Sequence, residues 1–177
     1  LLSSHHRVYR SPKSYNSQLG VSISLLQLTY QYDYAIIEVG FSLPGEMKKM
    51  KKMIIPDYGI LTSFSSSRIN SFKNQNHYNN ELLSLMVGVK CTIASFSLEI
   101  SKEQTNEISL LGIDPTGVSF QQLDSRWQNP VSIQNLSLAF GMAKIIGITK
   151  EDLLMRVSTI PSLAMRLETY DGINNSI

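Results

Sequence analysis

The sequence has almost no cysteine, little excess charge of either sign and no long hydrophobic run. Its single cysteine, Cys91, cannot form a disulfide within the chain or a thiolate metal site, which fits a reducing compartment. With 16 basic and 14 acidic residues, the net charge of +2 does not by itself imply a nucleic-acid or membrane-surface partner. Because no run of about 18 apolar residues occurs, no membrane span is predicted.

What is present is sufficient for one folded domain. Hydrophobic residues make up 42% and charged residues 17% of the 177 positions, so the chain can bury a core and is not expected to be disordered. It begins without an initiator methionine or the apolar core of a signal peptide, and it stops at Ile177, shortly after Gly172. We interpret both ends as cuts through a longer protein.

The order of apolar and polar segments predicts an α/β fold, in which a mostly parallel sheet is flanked by helices and has a small antiparallel section. Residues 34–39 are apolar or β-branched apart from one glutamate and the first tyrosine, as in a strand buried on both faces. A helix from Pro44 through Lys52 and a strand at 58–62 follow. Together these segments predict a βαβ unit.

Three further strands are predicted in the middle of the chain. A polar stretch ends in a short predicted helix at 82–86, and alternation then indicates strands at 92–100, 108–111 and 118–123. Turn residues between the last two strands favour antiparallel pairing in this section.

Two helices are predicted after the strands. Apolar positions at helical spacing indicate an amphipathic helix from Ser132 to about Gly147. Thr149, with Asp152 three residues later, has the pattern of a capping box and predicts the start of a second helix, which Pro161 ends.

Glu38 is the clearest candidate for a functional side chain, because ligands of α/β sheets bind at the carboxyl ends of the strands. A carboxylate at the end of an apolar strand is costly to bury unless it is paired or bound to a cation. Glu38 is therefore a candidate Mg2+ ligand. The alternative is a structural role, in which Glu38 forms a salt bridge with a neighbouring lysine or arginine.

Gly40 and Gly45 have the spacing of a phosphate-binding loop, but the residues that follow do not fit. Glu46 and Met47 stand where lysine and serine or threonine are required, and a glutamate there would repel a phosphate. No other segment offers the pattern. We therefore predict that this turn does not bind phosphate.

Other conspicuous residues have simpler interpretations. The three histidines lack metal-ligand spacing and are interpreted as surface residues: His5, His6 and His77. Three methionines at intervals of three residues predict a helix face packed on the core: Met47, Met50 and Met53. Trp127 is either a core anchor or a residue that stacks on a ligand.

Four segments, in order along the chain, share the patterns of one family. Residues 13–21, KSYNSQLGV, match an N-N/S-x-x-G-V pattern, and residues 28–47, LTYQYDYAIIEVGFSLPGEM, match a strand with a metal-binding glutamate. Residues 132–135, SIQN, are close to an S-I-E-N helix start, and residues 163–175, LAMRLETYDGINN, to an interdomain hinge. Together they resemble the Mur ligases, ATP-dependent amide ligases of cell-wall synthesis. The A-M-R-L-E of the hinge favours the D-alanyl-D-alanine-adding branch, in the form that Bacteroidetes-type bacteria fuse to alanine racemase.

The resemblance implies a partial Mur ligase central domain of the phosphate-loop type at 1–162, without its N-terminal phosphate loop. A hinge and the start of the C-terminal ligase domain would follow at 163–177. The family reaction takes place in the cytoplasm during peptidoglycan synthesis. ATP and Mg2+ serve to phosphorylate the carboxylate of UDP-N-acetylmuramoyl-tripeptide, and the amine of D-alanyl-D-alanine then attacks the acyl phosphate. No nucleic acid takes part.

The resemblance also implies roles for individual residues. Glu38 would bind the metal, and Asn16 and Ser17 would contact the uridine-nucleotide substrate. Asn135 would lie near the ATP, and Arg166 would belong to the hinge.

Three groups that the family pattern requires are missing. The phosphate loop should precede Arg10, the metal-site histidine aligns with Arg68, and the carbamylated lysine falls near Asn79. We therefore expect a ligase fragment that is inactive alone. The alternatives are a non-catalytic domain that binds the UDP-muramoyl-peptide and a decayed remnant that barely folds.

Overall fold

Two short sheets of parallel strands, flanked by helices, make up the described part of the chain. The computed structural model describes residues 1–62, 66–95, 110–113, 127 and 129–161. The first sheet pairs β1 (Val8–Arg10) with β2 (Tyr34–Ile36). The second has the order β3 (Tyr58–Leu61), β4 (Cys91–Ser95), β5 (Leu110–Ile113). The predicted α/β class with parallel strands is confirmed.

Five α-helices and two 3-10 helices accompany the strands in the described residues. The α-helices are α1 (Gln18–Gln27), α2 (Glu46–Met53), α3 (Gln75–Ser84), α4 (Pro130–Ile145) and α5 (Lys150–Val157). The 3-10 helices are Leu2–Ser4 and Ser66–Ser71. None of the described helices is long and apolar enough to cross a bilayer.

Four of the α-helices begin at a side chain that caps them. The oxygen of the capping residue accepts the backbone N–H three residues later, which satisfies one of the free donors of a first helical turn. The capping residues are Ser17, Asn74, Asn129 and Thr149. The start predicted at Thr149 is therefore confirmed, and the helix predicted at 82–86 is the end of the longer α3, whose start Asn74 determines.

The antiparallel pairing predicted in the middle of the chain is wrong for the pair that the structure describes. Strand β4 pairs with β5 in parallel, with Thr92 opposite Leu110, and β3 pairs with β4 in parallel as well. Alternating sequence is the same for both directions, and the segment 96–109 is long enough for the crossover of about a dozen residues that parallel neighbours need. The strand predicted at 118–123 lies outside the described residues.

The order of the predicted βαβ unit is confirmed, although its pairing is different. Strand β2, helix α2 and strand β3 follow one another, but β2 pairs with β1 and β3 pairs with β4. Strand β1 and helix α1 were not predicted. Because β2 and β3 belong to separate sheets, the site at the end of β2 is formed with β1.

Within the described residues, three apolar clusters form the core. The first joins α1, α2 and α3 to β3 and β4, and it includes the fully buried Met50 and Val21. A second joins α4 to α5. The third contains Ile93 of β4 with Leu138 and Met142 of α4. Because the neighbouring Ala94 belongs to the first cluster, β4 connects the first cluster to the third.

Candidate functional site

The loops that follow β1 and β2 are hydrogen-bonded to each other at the carboxyl ends of these strands. Ser11, buried just after β1, accepts at Oγ the backbone N–H of Glu38 at 3.1 Å. The carbonyl of Asn16 accepts the backbone N–H of Gly40 at 2.8 Å. These bonds fix the backbone of both loops at the sheet edge where α/β proteins bind ligands.

The side chains of Asn16 and Glu38 meet at this edge. Asn16 Nδ2 donates to Glu38 Oε1 at 2.7 Å. The carboxylate can only accept, so this contact also determines which way the amide points. Glu38 is exposed, and no ion pair described in the structure includes it, so the salt-bridge alternative finds no support in the described residues. Two residues that the resemblance assigns to substrate and metal therefore lie in contact.

Ser17 and Gly20 shape the start of α1 beside this contact. Ser17 Oγ accepts the backbone N–H of Gly20 at 3.2 Å and thereby caps the helix. A Cβ at Gly20 would lie 2.8 Å from backbone atoms of Tyr15, closer than two carbons can approach. The serine and the glycine of the family pattern therefore have local structural roles, which hold the adjacent Asn16 in place.

The turn between Gly40 and α2 is filled by carboxylates of the chain itself. Glu46 Oε2 accepts the backbone N–H groups of Ser42 and Leu43 at 2.7 and 3.0 Å, and these bonds lower the pKa of Glu46. Glu81 of α3 accepts the N–H of Met47 at 2.9 Å. An anion at this helix start would meet two negative groups, which disfavours phosphate there.

Asn135 lies on the exposed side of α4, near the end of a different strand. Its neighbour Gln134 donates through Nε2 to the carbonyl of Thr62, just after β3, at 2.8 Å. This bond holds the first turns of α4 at the carboxyl end of β3. No contact described in the structure joins Asn135 to Asn16 or Glu38.

The resemblance aligns Arg68 and Asn79 with metal-site residues of the family, and the structure describes the two positions to different extents. Arg68 lies in the 3-10 helix Ser66–Ser71, and its side chain lies outside the description. Asn79 is buried in α3, where its Oδ1 accepts from Gln75 Nε2 at 2.6 Å. Within the described residues, no group of three or more His, Cys, Asp or Glu side chains could hold a metal ion. Glu38 therefore belongs to no such group in the described part of the chain.

Most of the residues interpreted as structural pack as predicted. Met47 and Met50 are fully buried in the first core cluster, whereas Met53 at the end of α2 is 37% exposed. Trp127 packs against the α4–α5 cluster, which favours a core anchor over a ligand stacker. Arg166 lies outside the described residues.

The histidines pack against neighbours at the surface. His6 contacts the ring of Tyr34 edge-on with 4.8 Å between centroids. His77 Nδ1 accepts the N–H of Lys73 at 3.3 Å, and His5 Nε2 lies 3.6 Å from the carboxylate of Asp152. The three histidines thus have three different partners, and the contacts described for them do not bring them together as metal ligands.

Two contributors to the site escaped the sequence analysis. Ser11 bonds the Glu38 backbone, and Glu81 fills the start of α2 from another helix. Ser11 follows a strand of three residues that has no clear alternation, and Glu81 lies 34 positions from the N–H it binds. Only the position of Ser11 directly before Pro12, at a strand end, offered a signal.

Known proteins of one family are similar to this chain. The family description of the Mur ligase middle domain matches residues 1–143. The UDP-N-acetylmuramoyl-tripeptide--D-alanyl-D-alanine ligase of Borreliella burgdorferi is 32% identical over 73 residues, which are 41% of this chain and 16% of that ligase. The ligase of the same name from Escherichia coli is 32% identical over 57 residues, 32% of this chain and 13% of that ligase.

Solved structures show the same fold. A crystal structure of MurF from Acinetobacter baumannii superposes with a TM-score of 0.76 at 16% identity, over 98% of this chain and 44% of that one. MurF from Thermotoga maritima in complex with ADP gives a TM-score of 0.70 at 18% identity, over 84% of this chain and 41% of that one. The chain thus spans less than half the length of these relatives.

Proposed function

The chain belongs to the Mur ligase family through its middle domain, and from this premise we propose that it is part of a peptidoglycan ligase that joins D-alanyl-D-alanine to UDP-N-acetylmuramoyl-tripeptide. The contact between Asn16 and Glu38 carries the proposal, because it unites the assigned substrate and metal residues at the carboxyl ends of parallel strands. The names of the curated relatives support this substrate pair. A cytoplasmic location and the alanine-racemase fusion remain parts of the proposal.

In this proposal Asn16 and Ser17 bind the UDP-muramoyl substrate. Asn16 uses one amide hydrogen for Glu38, and the second is left for an acceptor oxygen of the substrate. Ser17 accepts a helix N–H through Oγ and can still donate its hydroxyl hydrogen. The free backbone donors of the first turn of α1 favour a negative group nearby. Asn135, at the other strand end, would lie beside the ATP.

Glu38 fits Mg2+ as one protein ligand among several non-protein ones. Mg2+ in phosphoryl-transfer sites is held by one or two carboxylates, with phosphate oxygens and water completing the octahedron. The exposed Glu38 meets the minimum of that donor set, and Asn16 fixes its orientation through Oε1. When bound, the ion would supply neutralisation of the charge on the transferred phosphoryl group.

We further propose that the 177-residue chain alone does not complete the reaction. The start of α2 is filled by Glu46 and Glu81, and Asn79 with its buried amide stands where the family pattern has a lysine. Incubation with ATP, Mg2+, the muramoyl-tripeptide and D-alanyl-D-alanine should release no phosphate. Release above that of a protein-free sample would contradict this part of the proposal.

Binding of the muramoyl substrate is the direct test. Titration calorimetry with UDP-N-acetylmuramoyl-tripeptide should give saturable heat, and Asn16→Ala should weaken binding by about 1–3 kcal/mol, the usual cost of losing a buried polar contact. Gln27→Ala, an exposed amide at the far end of α1, is the matched control and should bind as the parent does. A folded chain without heat would refute the assignment of Asn16 and Ser17.

A second candidate is a non-catalytic domain that binds the muramoyl nucleotide without ATP. Two observations favour it: Asn16 contacts Glu38, and the position near which the resemblance expects the carbamylated lysine is occupied by the buried Asn79. Adding ATP and Mg2+ to the same titration separates the two functions. A ligase part should bind the substrate with altered affinity when the nucleotide is present, whereas the binding domain should show no change. A decayed remnant would give neither heat nor a cooperative thermal transition.

A further inference from the structure

Helices α1 and α2 lie side by side, and their outer surfaces combine exposed leucines with exposed lysines. Gln18 Nε2 donates to Glu46 Oε1 at 3.4 Å, and Ser22 Oγ donates to Met53 Sδ at 3.3 Å, so the two helices are joined along their length. The exposed residues of this pair, together with the exposed Ile55 that follows α2, define what we call the α1–α2 face: Leu19, Leu26, Lys48, Lys49, Lys52 and Ile55.

The apolar part of the α1–α2 face is unusually open. Leu19 is 72% exposed and Leu26 86% exposed, and their spacing of two helical turns places them on the same side of α1. Ile55, just beyond α2, is 93% exposed. The opposite side of α1 is already packed, since Val21 and Ser24 are fully buried. Grouped exposed apolar residues of this kind mark interaction surfaces.

The basic part of the face comes from α2. Lys48, Lys49 and Lys52 are exposed on the side opposite the buried Met47 and Met50. No hydrogen bond or ion pair described in the structure fixes any of these three ammonium groups.

Lys51 of the same helix behaves differently. Its Nζ donates to the carbonyls of Ser84 and Val87 at 3.1 and 3.3 Å, which caps the end of α3. The negative charge of Glu46 is used by two backbone N–H groups. The positive charge of Lys49 also helps to lower the pKa of Glu46. The three outer lysines therefore present positive charge at the surface, while Lys51 is part of the fold.

We propose that the α1–α2 face docks on the surface of an anionic lipid bilayer. Leucine and isoleucine side chains gain by entering the boundary between headgroups and acyl chains, and lysines gain from the negative headgroups. A protein partner fits less well, because protein interfaces are enriched in arginine and aromatic residues and depleted in lysine. Unfixed point charges suit a fluid layer of headgroups, which has no fixed acceptor geometry.

The overall charge of +2 does not reveal this surface, because it sums over the whole chain, whereas Lys48, Lys49 and Lys52 lie together on one side of α2. The docking does not depend on the proposed ligase function, since none of its residues belongs to the Asn16–Glu38 contact. It would hold the chain along the membrane plane without crossing it.

Sedimentation with vesicles tests the proposal. The 177-residue chain should sediment with vesicles of phosphatidylglycerol and phosphatidylcholine at low salt, and it should stay in solution with phosphatidylcholine alone. Replacing Lys48, Lys49 and Lys52 by glutamine should weaken the partition on the order of 100-fold, since each lysine near an anionic surface contributes a factor of about five. The control replaces three exposed lysines elsewhere and should keep the binding: Lys13, Lys144 and Lys150.

The apolar part is tested with a second pair of variants. Leu19→Ser with Leu26→Ser should weaken the vesicle partition, whereas Val131→Ser with Met155→Ser, which changes exposed apolar residues of α4 and α5, should leave it unchanged. Far-UV circular dichroism of all four variants should match that of the parent. The proposal is overturned if the parent does not sediment, if it sediments equally with neutral vesicles, if it binds soluble polyglutamate as strongly, or if patch and control variants lose binding alike.

Discussion

Individual residues near the carboxyl ends of β1 and β2 combine contacts that hold the local fold with proposed roles in binding. Asn16 binds Gly40 through its carbonyl and Glu38 through its amide, and Ser17 caps α1. A pattern that the family resemblance assigns to substrate contact is therefore also part of the local fold. Variants at these positions should be judged by both stability and binding, because either effect alone would be misread.

Gly20 provides the stability test at this scale. Gly20→Ala places a methyl group 2.8 Å from the Tyr15 backbone, which cannot retreat without disturbing the Ser17 cap. We expect a loss of about 1–3 kcal/mol in the free energy of unfolding, typical of overpacking, measured by urea titration. Leu19→Ala, an exposed change in the same helix, is the control. An alanine at 20 that stabilises α1 through its helix propensity would show that the close approach is absent.

At the scale of elements, features with a clear local pattern were predictable, whereas the starts of α1 and α3 and the contacts between elements were not. The Thr149 cap and the strand at 58–62 depend on neighbouring residues, and both appear within about one residue of their predicted place. The Ser11–Glu38 and Glu81–Met47 bonds span 27 and 34 positions, and no local pattern encodes them. The pairing of β2 with β1 could not be predicted for the same reason, since the alternation of apolar and polar residues does not specify which strand lies alongside.

The candidate site shows the same division between residues and contacts. The motifs placed Glu38 at the end of a strand at 34–39 that is buried on both faces. In the structure β2 ends at Ile36, Glu38 lies two residues beyond it, and Ala35 and Ile36 are exposed, so the predicted burial of this strand is wrong. Its neighbour Asn16 came from the resemblance alone, because nothing in the periodicity of 13–21 brings that loop to the end of β2.

The start of α2 makes a pH-dependent contribution that can be tested at this scale. The pKa of Glu46 is lowered by the N–H groups of Ser42 and Leu43, so the ionised form stabilises the fold. That stability is present above the ordinary carboxyl pKa and is lost as pH falls through the lowered value. Glu46→Gln should therefore lower the melting temperature at pH 7 by ~2–4 °C, for a loss of about 1 kcal/mol.

The pH series distinguishes this role from a general charge effect. The difference between parent and Glu46→Gln should shrink as pH falls through the lowered pKa of Glu46, where the parent carboxylate also becomes neutral. Glu151→Gln, an exposed glutamate in the first turn of α5, should give a smaller difference. A Glu46 difference that stays constant between pH 7 and pH 3 would contradict the assigned ionisation.

At the scale of the whole molecule, β4 couples the core clusters. Ala94 and Ile93 face opposite sides of the strand and belong to the clusters of α1–α3 and of α4. Trp127, the single tryptophan, packs against the α4–α5 cluster. The fluorescence of Trp127 therefore reports on the α4–α5 cluster, whereas far-UV circular dichroism reports on the backbone of the whole chain.

We expect both probes to report the same thermal unfolding transition. Tryptophan fluorescence and far-UV circular dichroism should give one coincident thermal transition, because both clusters pack on β4 and unfolding of one releases the strand on which the other packs. Ile93→Ala should lower both midpoints equally, and Met155→Ala, an exposed change on α5, should lower neither. Two separated transitions would show that the clusters fold independently.

The division into two sheets has a consequence for handling the protein. In the described residues, β2 and β3 each lack a neighbour on one side, and both carry exposed apolar residues, Ile36 on β2 and Tyr58 and Ile60 on β3. Strands of this kind are templates on which other chains can add. The Lys90–Asp57 pair at the start of β3 provides charge against such addition only at one end. We therefore expect the division into two sheets to affect aggregation during storage at high concentration more than it affects the melting temperature.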